Sequence, residues 1–195
     1  MSKGAETRER ILDQAIRMAS RDGLNGLSIG GLAEHLGLSK SGLFAHFGSK
    51  DELQVEVLQA AARRFETRVM AEAWKAPKGL PRIERLFDLW IRWQQAPDMP
   101  GGCIFVAASS ELDDHPGPAR DFLVKGEQRL NAALARAAQL AVQEGHFRAD
   151  LDVQQFAFEL QGIVLAFSHA NRLLQSPAAD ERARLAFQRL LNSSR

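Results

Sequence analysis

The sequence predicts an all-α protein: a three-helix N-terminal module over residues 1–50, then a larger helical body over 51–195, about nine helices in total. Ala, Leu, Arg, Glu and Gln, which lose little on entering a helix, are plentiful. No run sustains the alternation of apolar and polar residues that a half-buried strand needs, and tyrosine is absent. The first helix is predicted over 7–22, where Ile11, Leu12, Ala15, Ile16 and Ala19 form one apolar stripe and Gly23 supplies a stop. Two short amphipathic segments follow over 29–37 and 40–47, with Ser28 and Ser39 as N-caps whose hydroxyls accept from first-turn amides. Ser49-Lys50-Asp51-Glu52 has the form of a capping box and opens a periodic stretch to about residue 74. Pro77-Lys78-Gly79-Leu80-Pro81 breaks that stretch, and further helices are predicted over 81–95, 103–112, 117–144, 152–174 and 179–192.

With 45% hydrophobic and 25% charged residues, the chain has enough apolar surface for a core and enough charge for solubility. The formal charge of +1 means that a nucleic-acid partner would be met by a local cluster of basic groups, not by the whole surface. A single cysteine, Cys103, excludes an intramolecular disulfide and a multi-cysteine zinc site, and makes a cytoplasmic location the default. The N-terminal residues are polar where a secretory signal would be apolar, and no run approaches the ~20 apolar residues of a membrane span. A soluble, unprocessed protein without membrane association is expected.

The segment from Ser28 to Phe47 has the layout of a DNA-binding helix-turn-helix. Gly37 sits at the turn, where positive φ is needed to end one helix and begin another at a steep angle. Ala33 is small where the two helices approach, and Leu32, Leu36, Leu38, Leu43 and Phe47 are expected to fill the core against the first helix. The free face begins Ser39-Lys40-Ser41-Gly42, small or hydrogen-bonding side chains that suit entry into the major groove. His46, Lys50 and the amides that open the helix after Ser49 are placed to meet phosphates. Residues 1–50 carry seven basic side chains against five acidic ones, a modest local excess. Gly30-Gly31 inside a helix is an oddity, since each glycine costs roughly 1 kcal/mol relative to alanine.

Leu32-Ala33, Gly37-Leu38-Ser39-Lys40, Gly42-Leu43-Phe44, His46-Phe47 and Ser49-Lys50-Asp51-Glu52-Leu53 together resemble the signature of the TetR (tetracycline repressor) family. The resemblance covers about the first quarter of the chain. It implies that Ser28, Ser39, Lys40, Ser41, Gly42, Phe44, His46 and Lys50 lie at or near DNA. Phe44 departs from the pattern: the family usually has tyrosine there, and its phosphate-bonding hydroxyl is missing here. The function implied is a repressor that binds a palindromic operator as a dimer and is released by a small apolar or amphipathic effector. The alternative is a dimeric DNA-binding regulator whose body only dimerises or docks a protein partner.

In the body, the 152–174 helix is apolar over more than one face, with Phe158, Leu165 and Ala166 outside its main stripe. Phe156, Leu160, Ile163, Phe167, Asn171 and Leu174, with Phe187, Leu190 and Leu191 of the last helix, are expected to form a homodimer interface of the four-helix kind. Two modules must in any case reach successive major-groove faces about 34 Å apart. An effector pocket is implied by the resemblance, with Trp74, Trp90, Trp93, Cys103, Phe105, Phe122 and Phe167 as candidate lining, although aromatics at helical spacing serve equally as plain core. Met99-Pro100-Gly101-Gly102-Cys103, followed by Ile104-Phe105, resembles a stretch found before a middle helix in a subgroup of the family. Cys103 is then an inert buried thiol or a pocket contact or redox sensor. His169 reads as a core or interface histidine, and His115 and His146 as surface. No cofactor and no metal is expected, since Asp113-Asp114-His115 lacks further clustered ligands. Nor is an enzyme expected: nothing in the spacing couples Cys103 to His115 or His169.

Overall fold

Gly23 shapes the first helix. In the computed structural model, which describes residues 3–195, α1 (Lys3–Gly26) contains a break at Gly23, with φ 78° and ψ 168°. Met1 and Ser2, within the expected 1–50 module, lie outside the described residues. The break leaves amides past it without helical acceptors, and the carboxylate of Glu111 accepts from two of them, Leu24 N at 3.2 Å and Asn25 N at 2.9 Å. Ile11, Leu12, Ala15, Ile16 and Ala19 form the predicted buried stripe. They pack with α2 (Ile29–Leu36), α3 (Lys40–Phe47) and the beginning of α4 (Lys50–Phe65). Gln54 of α4, itself buried, donates to Leu24 O at 2.9 Å.

Helical winding continues beyond α4 through a π segment, Glu66–Met70, into α5 (Ala71–Trp74), so the predicted uninterrupted stretch to residue 74 is present with a wide turn inside it. Five-residue spacing in that turn brings Phe65 and Met70 to one face, which α-winding would separate. Then come α6 (Leu80–Gln94), α7 (Ile104–Leu112), α8 (Pro118–Gln143), α9 (Val153–Arg172) and α10 (Ala179–Ser193). With the stretch from Lys50 to Trp74 taken as one helix, this is the predicted all-α layout, and no strand occurs among the described residues. None of the described helices is long and apolar enough to cross a membrane.

By its contacts the chain divides into two compact units. The first runs to Arg63 and includes Gln95–Val124; the second comprises Arg64–Gln94 and Lys125–Arg195. In the first, α7 docks on α1 through Glu111, and the loop before α7 does so through Gly101, whose amide donates to Ser20 Oγ at 3.2 Å. In the second, α6 buries Ile83, Leu86, Phe87, Trp90, Ile91 and Trp93. Phe87 stacks on Phe187 of α10, ring centroids 4.0 Å apart, and Phe147 meets Phe156 of α9 at 5.2 Å. Asp152 caps α9 by accepting from Gln154 N and Gln155 N.

These contacts bury much of the expected dimer surface within the protomer. Phe156, Leu160, Phe167, Phe187, Leu190 and Leu191 are consumed by the core of their own protomer, Ile163 and Asn171 are half-buried, and only Leu174 is exposed. The reason is that α9 packs on both α6 and α10, which cover its strongest apolar stripe. The apolar surface left outward is Phe158 (71% exposed), Leu165, Leu173, Leu174 and, on α10, Leu185. His169 is exposed along the same side of α9, not in the core.

The expected pocket residues are divided between the units: Cys103, Phe105 and Phe122 belong to the first, Trp74, Trp90, Trp93 and Phe167 to the second. Trp74 is partly exposed, with the Arg82 guanidinium 5.5 Å above its ring and donating to its carbonyl at 3.3 Å. Trp90, Trp93, Phe167 and Cys103 are buried; Phe105 and Phe122 are half-buried.

The second unit also holds a pH-sensitive contact. Gln161 of α9 donates its Nε2 to Glu127 Oε2 of α8 at 2.7 Å. Burial pushes the Glu127 carboxyl above the usual glutamate range, and the hydrogen bond from Gln161 lowers it by less. The folded state therefore keeps this proton to higher pH than the unfolded chain. The associated stability is fully present below the ordinary glutamate range and is lost as pH rises through the raised value. Glu127→Gln is expected to match the wild type in urea denaturation near pH 4 and to become the more stable protein as pH approaches about 7. Parallel pH profiles for the two proteins would exclude this assignment.

Candidate nucleic-acid interface

Local capping builds the interface. Ser28 Oγ accepts from Gly31 N at 3.0 Å and starts α2; Gly37, with φ 64°, ends it, and the Leu38 amide returns to Ala33 O at 2.9 Å. Ser39 Oγ accepts from Gly42 N at 3.0 Å and starts α3. A methyl group on Gly42 would stand 3.0 Å from that oxygen, so the bare glycine keeps the cap close. Ser49 Oγ accepts from Glu52 N at 3.1 Å, which supplies the serine half of the predicted capping box; the Ser49 amide goes to Phe47 O.

Leu32, Ala33, Leu43 and Phe47 are buried as predicted, which turns the rest of α3 outward. Leu36 is only half-buried and Leu38 is exposed, so neither completes the core as expected. The turn at Gly37 carries Leu38 past the edge of α2. Arg8 of α1 stacks on the outer side of Phe47, 5.3 Å from its centroid, and pairs with Glu56.

Ser39, Lys40, Ser41, Gly42 and Phe44 form an exposed tip and face, with His46 half-buried beside them and Ser28 and Lys50 exposed at the flanks. Phe44 is 54% exposed, a bare ring in the middle of this polar face. Ser39 and Ser41 hydroxyls lie 3.3 Å apart. A serine oxygen that accepts from a backbone amide still has its own O–H to donate, so capping does not exhaust Ser28 or Ser39. Lys50 Nζ donates to Asn25 O at 2.9 Å, which steers its ammonium along the module surface while leaving two further N–H donors. The double glycine of α2 also finds a role: the Lys40 stem lies over Gly30, its Cε 3.3 Å from where a methyl group would stand. Small, polar and cationic groups at one helix tip, bordered by further donors, form a surface able to enter a major groove and contact phosphates on both sides.

A family model described as "Bacterial regulatory proteins, tetR family" matches residues 11–57, and one described as "Tetracyclin repressor-like, C-terminal domain" matches residues 79–187, more than half of the chain. The chain is similar to the HTH-type transcriptional regulator AcrR of Shigella flexneri, 36% identical over 52 residues, which are 27% of this chain and 24% of that protein. The matched stretch thus spans about a quarter of that regulator's length. Among solved structures it is similar to a TetR transcriptional regulator from Chloroflexus aurantiacus J-10-FL, with TM-score 0.87 and 23% identity over 98% of this chain and 96% of that one. It is also similar to AibR, solved in complex with isovaleryl coenzyme A and operator DNA, with TM-score 0.69 and 22% identity over 83% and 85% of the two chains. At these identities the structural likeness concerns the fold, and the family models carry the assignment. The chain belongs to the TetR family, whose members are DNA-binding regulators and not enzymes.

Proposed function

We propose that this protein is a ligand-responsive transcriptional repressor that binds a palindromic operator as a homodimer and is released by a small apolar or amphipathic effector. The observation that carries the reading is the bare α3 tip, Ser39-Lys40-Ser41-Gly42, held outward by the buried Leu43 and Phe47. Ser28, Phe44, His46 and Lys50 complete the DNA face. That AibR was solved with both a ligand and operator DNA supports the same division of labour on this fold.

Dimerisation uses the outward side of α9 and α10. Phe158, Leu165 and Leu173 are exposed, and Gly162 and Ala166 between them are exposed and small enough for close approach of a second helix. Phe158→Glu combined with Leu165→Glu is expected to give a monomer in analytical ultracentrifugation with unchanged helical content. Its operator affinity should drop by about a hundredfold or more, because one module then binds one half-site alone. A double variant that remains dimeric would place the interface elsewhere.

Effector binding in the body acts on recognition-helix spacing, with the helical stretch from Asp51 to Trp74 as the lever. The test is a gel-shift titration on a palindromic site selected from a random pool. Full binding to a single half-site, equal to that on the palindrome, would count against the dimeric repressor.

A further inference from the structure

The second unit contains one buried polar side chain whose hydrogen bonds are missing. Gln94, at the end of α6, is 2% exposed, and neither its amide nitrogen nor its amide oxygen has a hydrogen-bond partner among the described residues. Its surroundings on the helix are apolar and aromatic. Phe87, Trp90 and Gln94 follow one another at spacings of three and four and share a face, with Ile91 and Trp93 alongside. Phe65 stands edge-on to both indoles, its ring centroid 6.0 Å from Trp90 and 5.3 Å from Trp93. A primary amide in such a setting is one of the costlier groups to leave unsatisfied. Burying it pays only when a partner supplies both an acceptor for its N–H groups and a donor for its oxygen.

We propose that Gln94 is the orienting group of the effector site, and that the effector is a neutral molecule with a hydrogen-bond donor and acceptor side by side, as in a carboxamide, lactam or ureide, on an aromatic or apolar body. The proposal rests on the ligand-responsive reading above and names the chemistry of the ligand. An amide edge facing an amide edge makes two parallel hydrogen bonds, and the aromatic neighbourhood of Phe65, Trp90 and Trp93 suits an apolar body. A carboxylate would satisfy the N–H groups but leave the oxygen facing a second acceptor, so neutral donor–acceptor edges are selected over anions. An apolar ligand of the same shape would leave the amide as orphaned as before.

Benzamide and ethylbenzene present the same ring with and without that edge, and serve as the probe pair in isothermal titration against the full chain. Benzamide is expected to bind the wild type about tenfold tighter than ethylbenzene or better, a difference that Gln94→Met abolishes while leaving ethylbenzene binding intact. In the absence of ligand, Gln94→Met is expected to raise the melting temperature by about 2–4 °C, because it removes two orphaned polar atoms at nearly constant volume. A variant that melts below the wild type means that the amide already has a partner, and overturns the proposal. Equal affinity for the two probes, no binding of either, or benzamide affinity undiminished in Gln94→Met overturns it as well. If benzamide binds as expected yet leaves the gel-shift on the selected operator unchanged, the ligand site stands and the release mechanism of the repressor falls.

Discussion

Gly101→Ala is expected to be the most destabilising single-methyl change in the first unit. A Cβ at this position would stand 1.6 Å from the carbonyl oxygen of Ser20, 2.0 Å from its carbonyl carbon and 2.4 Å from the Arg21 amide. All three are backbone atoms of α1, so no rotamer change relieves the overlap. The loop must lift off the helix, which breaks the bond from Gly101 N to Ser20 Oγ and loosens the buried Met99 and Cys103 on either side. The cost of such overpacking is about 3 kcal/mol, equivalent to a fall in melting temperature of about 6–12 °C for a chain of this size. Gly126→Ala is the matched control. Beyond the backbone of its own helix, no atom of the described residues lies within 4 Å of its added methyl group in the interior of α8, so helix propensity alone acts and stability should rise by up to about 1 kcal/mol. Thermal denaturation of the two variants side by side decides the matter, and a Gly101→Ala protein as stable as wild type would mean that the loop does not rest on α1 in this way. The same contact explains why Met99-Pro100-Gly101-Gly102-Cys103 precedes α7: the bare glycine admits close approach, and Gly102, at φ 86°, turns the chain into the helix.

The largest functional effect is expected from Lys40→Ala combined with His46→Ala. Lys40 is exposed at the first turn of α3, where its ammonium can reach a phosphate, and His46 lies six residues further along, its ring 6.2 Å from that of Phe47. Neither contributes to the buried set of Leu32, Ala33, Leu43 and Phe47, so the module should fold unchanged. Operator affinity should fall by about tenfold to a hundredfold, the size of one or two lost charged contacts. The dependence of log affinity on log salt should become shallower by about 0.9 for each phosphate contact removed. A salt-titrated fluorescence-anisotropy measurement reads both quantities. Unchanged affinity with unchanged slope would remove these two side chains from the DNA face. Loss of affinity with a steep slope retained would instead point to base contacts.

The two sites differ in how far apart along the chain their determinants lie. The module around Ser28 to Phe47 is governed by short-range chemistry: a serine that caps, a glycine at positive φ, a leucine and a phenylalanine at helical spacing. Those signals act within four residues of one another, which is why the predicted segments over 29–37 and 40–47 agree with α2 (Ile29–Leu36) and α3 (Lys40–Phe47) almost residue for residue. The Gly101 contact joins positions 81 residues apart and leaves no periodic trace. The same is true of Glu111 on the amides beyond Gly23.

Order along the chain, helical identity and the outward polar tip of α3 were thus settled by the amino acids themselves, because each follows from caps, turns and apolar spacing that operate locally. Which side of α9 faces its own core was not, since Phe156 and Phe158 are equally apolar and point to different sides of one helix. Packing against α6 and α10 chose, burying Phe156 and leaving Phe158 bare; the burial of the Gln94 amide is likewise a product of tertiary packing. Hydrophobicity is a property of a residue; whether it is spent inside a protomer or left for a neighbour depends on the surfaces that close over it.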